Sequence, residues 1–385
     1  MKKLAFAAVL IVLVALLDSC RRSESVQPVP STSSPANPID VSVLSVLPEH
    51  AYGKDSGKDK EQSALTAFIR GKLQGSHGIF TNLIETQQES ESATGHEVLS
   101  ESASLLLRYD VLSGDPQRFE QDWQTARQTF DLDTGFSYRY SPKQDKRYPV
   151  NAAVDDLRMI RSFYEAGKRF DREDYTRLAD DYSRRFLKYN VQDGYMVDFY
   201  NEQAGERNSF ITLCYIDLKT LALMPDGPDK QKLLSQMTGI VTGGYISDDF
   251  PFYHTRYDYK KQAYLTESVN TVESLLTILA LSEVHLERPA SIAYIKEKVK
   301  AGELYGKYSF KGQPSTDLQS TAIYALAAMI GSTIGDRELY EDSINRMQAY
   351  QIPAGQGELA GAFADAATGQ AYSFDNLTAL LAYQY

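Results

Sequence analysis

The sequence predicts an all-α fold, an (α/α)6 toroid: a closed ring of six helical hairpins with short β stretches in the loops. Three observations predict it. Apolar residues recur at helical spacing in twelve segments. A glycine followed within two residues by an aromatic returns six times, as Gly78-Ile79-Phe80, Gly135-Phe136, Gly194-Tyr195, Gly244-Tyr245, Gly306-Lys307-Tyr308 and Gly361-Ala362-Phe363. The intervals between these glycines are 57, 59, 50, 62 and 55 residues, longer than the roughly 34–47 residues of common open helical repeats.

The spacing places helices over 61–73, 97–112, 115–130, 151–168, 172–188 and 208–224. The second half of the chain adds 228–240, 264–285, 289–301, 314–331, 336–349 and 373–384. Asp115-Pro116 marks one helix start, because Pro lacks only an N–H that the first turn leaves unpaired, and Asp171 is placed to cap the helix from Arg172. Each unit then holds two helices and one Gly-aromatic loop, with extended stretches at Phe136–Tyr140 and Met196–Tyr200. One hairpin cannot bury its apolar face alone, so the hairpins stack. Closing the ring gathers the loops at one end, where they would line a cleft able to hold an extended polymer.

The first residues read as an export signal. Lys2 and Lys3 precede an apolar run over 4–17, too short for a comfortable membrane span and suited to a signal-peptide core. The run ends at Leu17-Asp18-Ser19-Cys20, which resembles the lipobox of bacterial lipoproteins and implies a lipid on Cys20. The organisation expected is a signal peptide over 1–19, a Ser/Pro-rich tether over 20–41 and one domain over 42–385. The protein would then sit outside the cytoplasm, held to the bacterial membrane by its lipid. With Cys20 modified, Cys214 has no partner for a disulfide, and its apolar run Phe210–Tyr215 points to a buried, inert thiol.

A net charge of −11 argues against nucleic acid as a partner. The 26 Tyr and 16 Phe fit a carbohydrate partner, because aromatic faces stack on the apolar faces of sugar rings. The five histidines show no metal-ligand spacing, and no phosphate-binding glycine loop or nucleophile elbow is present, so no metal or cofactor is expected. What remains is a supply of carboxylates. Glu101 sits in Val98-Leu99-Ser100-Glu101-Ser102-Ala103, among small and apolar residues that would raise its pKa toward that of a general acid. Asp155 and Asp156 open a helix, where acids also serve as caps. Arg256-Tyr257-Asp258-Tyr259, near His254, forms a charged and aromatic loop, and Asn270 and Glu273 begin the helix after it. Asp375 and Asn376 stand at the start of the last helix.

These places resemble the glycoside hydrolases of family 8, over most of residues 60–385. Ser100-Glu101-Ser102 is similar to the family's Ser-Glu-Gly, whose glutamate is the general acid, with Ser102 in place of the glycine. Asp155-Asp156-Leu157 is similar to its Asp-rich substrate-binding segment, and Tyr257-Asp258 to the Tyr-Asp pair that supplies its base. The resemblance implies an (α/α)6 toroid and an inverting hydrolysis of a β-linked extracellular polysaccharide such as a chitosan-like exopolysaccharide. Glu101 would be the acid and Asp258 the base, with Asp155 or Asp156 gripping the central sugar; Asn270 is the alternative base. Arg256, Tyr257, Tyr195 and Tyr215 would bind or stack on substrate, whereas Trp123 reads as core. A non-catalytic carbohydrate-binding or assembly lipoprotein on the same fold is the competing reading.

Overall fold

A computed structural model describes residues 26–28, 39 and 41–385, apart from 87–89, 91, 228, 266 and 267. Cys20 and the signal segment lie outside the described residues. The described chain holds twelve α-helices: α1 (Asp59–Phe68), α2 (Ser100–Ser113), α3 (Pro116–Phe130), α4 (Ala153–Phe170), α5 (Glu173–Tyr189) and α6 (Leu218–Leu223) in the first half. The second half supplies α7 (Lys230–Gly243), α8 (Thr271–Ser282), α9 (Pro289–Ala301), α10 (Thr321–Thr333), α11 (Arg337–Gln348) and α12 (Ser373–Ala382).

The even-numbered helices form the inner ring. Each packs on the next, α2 on α4, α4 on α6, and so on to α12, which closes the circle against α2. Their sequences explain the position: α10 is apolar or small on nearly all sides, and both α10 and α12 are buried almost throughout. Behind them lie the odd-numbered helices, which bury one stripe and expose the other, as α5 does with Tyr175, Ala179, Tyr182 and Phe186. Trp123 is buried in α3 against Phe136, Phe163 and Tyr182, as core.

Helix starts follow local chemistry. Asp115 accepts a hydrogen bond from Arg118 N at 3.0 Å with Pro116 in the first turn of α3. Asp171 does not cap α5; it ends α4 in the left-handed conformation, φ 55°. The expected helix over 208–224 is confined to Leu218–Leu223, because Phe210–Thr212 is a strand and Leu213–Tyr215 a 3-10 turn. Likewise 264–285 begins with a strand, Ala263–Leu265, and turns helical at Thr271.

These strands form an antiparallel sheet in which Arg256–Asp258 lies between Phe210–Thr212 and Ala263–Leu265. Val26–Pro28, within the stretch expected as tether, adds an edge strand on Ala263–Leu265. A repeated hydrogen bond ties loops to the inner ring. The fourth residue of α4, Asp156, accepts from Phe136 N at 3.2 Å, that of α8, Ser274, from Tyr253 N at 3.0 Å, and that of α12, Asn376, from Phe363 N at 2.9 Å. Gly135 is required beside the first of these, since a Cβ there would lie 2.4 Å from Asp156 Oδ2.

Candidate active site

The loops and the N-termini of the inner helices share one end of the ring, and the acidic residues converge there. Glu101 is the second residue of α2 and half-buried. Burial, and then the charge of Asp155, push its carboxyl up to about 8, against the opposing charge of Arg158. Its place at a helix N-terminus favours the anion, and burial outweighs that. The Glu101 carboxylate makes no hydrogen bond or ion pair with another described residue, so its oxygens are available to a ligand.

Asp155, in contrast, is held. Ser100 Oγ donates to its Oδ2 at 2.8 Å and Arg158 Nη1 lies 3.2 Å from its Oδ1. Burial still raises its pKa against both partners. Asp156 points the other way, into the wall. Besides Phe136 N it accepts from Asn151 Nδ2 at 2.6 Å, and it is buried. Its pKa is well above the usual range through burial, and its oxygens are spent on the loop.

A second acidic group lies across Tyr215. Asp198 accepts from Thr212 N and Thr212 Oγ1, both at 2.6 Å, and burial pushes it up to about 6. Glu273, third residue of α8, is half-buried and pushed up to about 7 by burial, with Arg256 and Lys307 opposing and Asp198 adding to the rise. Like Glu101, its carboxylate has no hydrogen-bond partner among the described residues. The charge of Arg256 acts on both Asp198 and Glu273, its guanidinium 4.9 Å from the Phe210 ring centre and its buried Nε without a partner. Tyr215 is buried between the two groups, and its phenol is raised by burial and by the charges of Asp198, Cys214, Asp155 and Glu101. Cys214 is buried and its thiol raised, as an inert core cysteine would be.

The remaining expected residues divide clearly. Tyr257 is half-buried, with ring centres 5.0 Å from Tyr264 and 5.7 Å from Tyr259. Tyr259 lies 5.2 Å from Tyr195, which is 36% exposed, so these rings form an aromatic rim. Asp258 ends a strand, and its Oδ1 accepts from Lys260 N and Lys261 N, both at 2.9 Å, so it closes a hairpin turn. Asn270 caps α8, accepting from Val272 N at 2.9 Å and Glu273 N at 3.4 Å. The structure thus brings Glu101, Asp155, Tyr215 and Arg256 to one mouth and occupies Asp156, Asp258 and Asn270 in loop and helix geometry. Arg158 and Asp198 gave no signal in the sequence, since their partners lie on other elements. Among the described residues, no group of three or more His, Cys, Asp or Glu side chains could hold a metal, and no helix is long and apolar enough to cross a membrane.

No family model matches the chain. It is 24% identical over 335 residues to a Bacillus subtilis protein named "Putative lipoprotein YdaJ", covering 85% of this chain and 91% of that one. Among solved structures, a GH8 enzyme of Teredinibacter turnerae in complex with xylobiose superimposes with a TM-score of 0.62 at 10% identity, over 87% of this chain and 95% of that one. The resemblance to family 8 therefore holds for the fold. A novel α-amylase from Clostridium perfringens is nearer, with a TM-score of 0.78, 31% identity, and coverage of 85% of this chain and 98% of the other. At that identity and coverage the chain belongs to the family of the Clostridium perfringens α-amylase, a family built on the (α/α)6 fold of the family 8 glycoside hydrolases.

Proposed function

We propose that the protein is a glycoside hydrolase of an extracellular polysaccharide, with Glu101 as the general acid. The observation that carries the reading is a half-buried carboxyl, raised to about 8 and free of protein partners, at the loop end of the ring. Such a group keeps its proton at neutral pH and can give it to a glycosidic oxygen as the bond breaks. Asp155 supports it twice over: its charge helps keep Glu101 protonated, and its fixed oxygens offer hydrogen-bond acceptors to sugar hydroxyls. Tyr215 forms the floor, and Tyr195, Tyr257 and Tyr259 give an aromatic rim on which sugar rings can stack.

The mechanism is direct displacement, with a water attacking the face opposite the leaving oxygen and inverting the anomeric centre. Location completes the reading. The sequence signal at Cys20 and the likeness to a protein named as a lipoprotein support a lipid-anchored enzyme outside the cytoplasm.

The test uses the full-length protein in detergent, wild type beside Glu101→Gln. New reducing ends are counted on soluble starch, chitosan, deacetylated poly-N-acetylglucosamine, β-glucan and xylan. The panel spans both linkages, because the 31%-identical relative is an α-amylase and the GH8 fold neighbour is a xylobiose complex. Expected is cleavage of one polymer, with a loss of about 100-fold or more in the variant. Equal activity in both proteins would remove Glu101 from the mechanism. Binding without cleavage by the wild type would favour the non-catalytic reading.

A further inference from the structure

Inversion needs a second carboxylate across the sugar from the acid, and Asp258 ends a strand with its Oδ1 closing a hairpin turn. We infer that Glu273 is the general base. The inference rests on the hydrolase reading above and assigns the residue that completes it.

Three observations converge. The first is position in the ring. The inner helices run α2, α4, α6, α8, α10, α12, so α8 stands directly across the axis from α2. Packed helices lie roughly 8–10 Å apart, which puts opposite members of a six-membered ring roughly 16–20 Å apart. Two glutamates reaching inward from their first turns shorten that to the scale of the roughly 6.5–9.5 Å that an inverting pair leaves for sugar and water.

The second is freedom. Three inner helices carry an acid at their third residue: Asp155 on α4, Glu273 on α8 and Asp375 on α12. Asp155 accepts from Ser100 of α2, and Asp375 from Ala322 N of α10 at 2.9 Å, so each is tied to the preceding inner helix. Glu273 has no such tie. It and Glu101 are partly exposed acids of the inner-helix first turns whose carboxylates meet no other described residue.

The third is the surrounding charge. At Glu273 the charges of Arg256 and Lys307 favour the anion against the like charge of Asp198, whereas at Glu101 the like charge of Asp155 favours the neutral acid and outweighs Arg158. The two glutamates thus sit in environments that push them toward the separate tasks of an acid and a base. In the step, a water oxygen bonds to the anomeric carbon while its proton passes to Glu273. The glycosidic C–O bond breaks at the same time, and the leaving oxygen takes the proton of Glu101. The charge of Arg256 favours the ionised form that the base must hold.

The experiment measures Glu273→Ala and the isosteric Glu273→Gln, as full-length protein, on whichever polymer of the panel the wild type cleaves, with and without sodium azide. Both variants are expected to lose about 100-fold or more in rate. Azide should restore turnover to Glu273→Ala, forming a C–N bond to the anomeric carbon and leaving a glycosyl azide of inverted configuration. Glu101→Gln should gain nothing from azide. Wild-type kcat/KM should be bell-shaped, falling below about pH 7 as Glu273 takes a proton and above about pH 8 as Glu101 loses its own. The acidic limb should disappear in the azide-rescued variant. Wild-type rates in both Glu273 variants, or a folded Glu273→Ala that azide leaves inactive, would overturn the assignment while the hydrolase reading stands. A wild type silent on every polymer would overturn both.

Discussion

Helix α8 carries a glutamate at each end, and the two are held in opposite states. Glu273 in the first turn is raised to about 7, whereas Glu283 at the C-cap is held down to about 2. The helix dipole predicts the reverse, since it favours an anion at the N-terminus by about 0.3–1 kcal/mol and opposes one at the C-terminus. Burial pushes both carboxyls up. At Glu283 the cations outweigh it: Arg161 reaches the carboxylate at 2.5 and 2.6 Å and Arg108 lies 3.6 Å away, with Lys219 adding its charge. Glu165 pairs with the same two arginines, at 3.0 and 3.1 Å, and Asp217 lies 3.6 Å from Arg161, so three acids face the three cations. Pairing, rather than depth or dipole, decides which buried acid is structural and which is left free for chemistry.

The largest test of that contrast is Glu283→Gln. Removing one partner of a buried ion cluster leaves Arg161 short of a counter-charge, and a loss of about 3–5 kcal/mol in urea unfolding is expected. Activity per folded molecule should be unchanged, whereas Glu273→Gln should lose activity and keep its fold. Asp156 lies between the extremes, buried and hydrogen-bonded but without a cation. Asp156→Ala should cost about 1–3 kcal/mol by orphaning Phe136 N and the Asn151 amide. A full loss of cleavage with no loss of stability would return Asp156 to the chemistry.

The smallest effect is a gain. A carboxyl raised in the fold contributes stability that is fully present below the unfolded pKa, near 4.5, and lost as pH rises through the folded value, near 7. Glu273→Gln escapes that loss. Its stability relative to wild type should grow between pH 4.5 and 8, by about 1–2 kcal/mol once partial exposure is allowed for. Glu283 has the opposite sign: its contribution is present above about pH 4.5 and fades toward about pH 2. Parallel pH profiles for the two Gln variants would break the comparison.

The ring was legible in the sequence because both its signals are local. Helical periodicity marked twelve helices, and the Gly-aromatic loops marked six units. The reading went astray at 208–217, where an apolar run serves a strand and a 3-10 turn as well as a helix and periodicity cannot separate them. Glu101 was legible because its sequence neighbours are also its burial. Asp258 and Asn270 were attractive by motif, and the atoms that occupy them are backbone N–H groups two or three residues on, which sequence does not display as partners. Glu273 stood in plain sight beside Asn270. Its role depends on the helix opposite, and a linear reading cannot show which helices face each other.

Closure of the ring has a kinetic consequence. The seam joins the first inner helix to the last, and Ser102 Oγ donates to Ser373 Oγ at 2.9 Å across 271 positions of chain. Contacts so distant in sequence bear the greatest loop-closure cost. A chain still lacking α12 has no helix packed on that side of α2, which carries Glu101. The wall beside Glu101 is thus complete only once the ring has closed, so the onset of any cleavage should report completion of the ring, and a chain should stay silent until α12 docks.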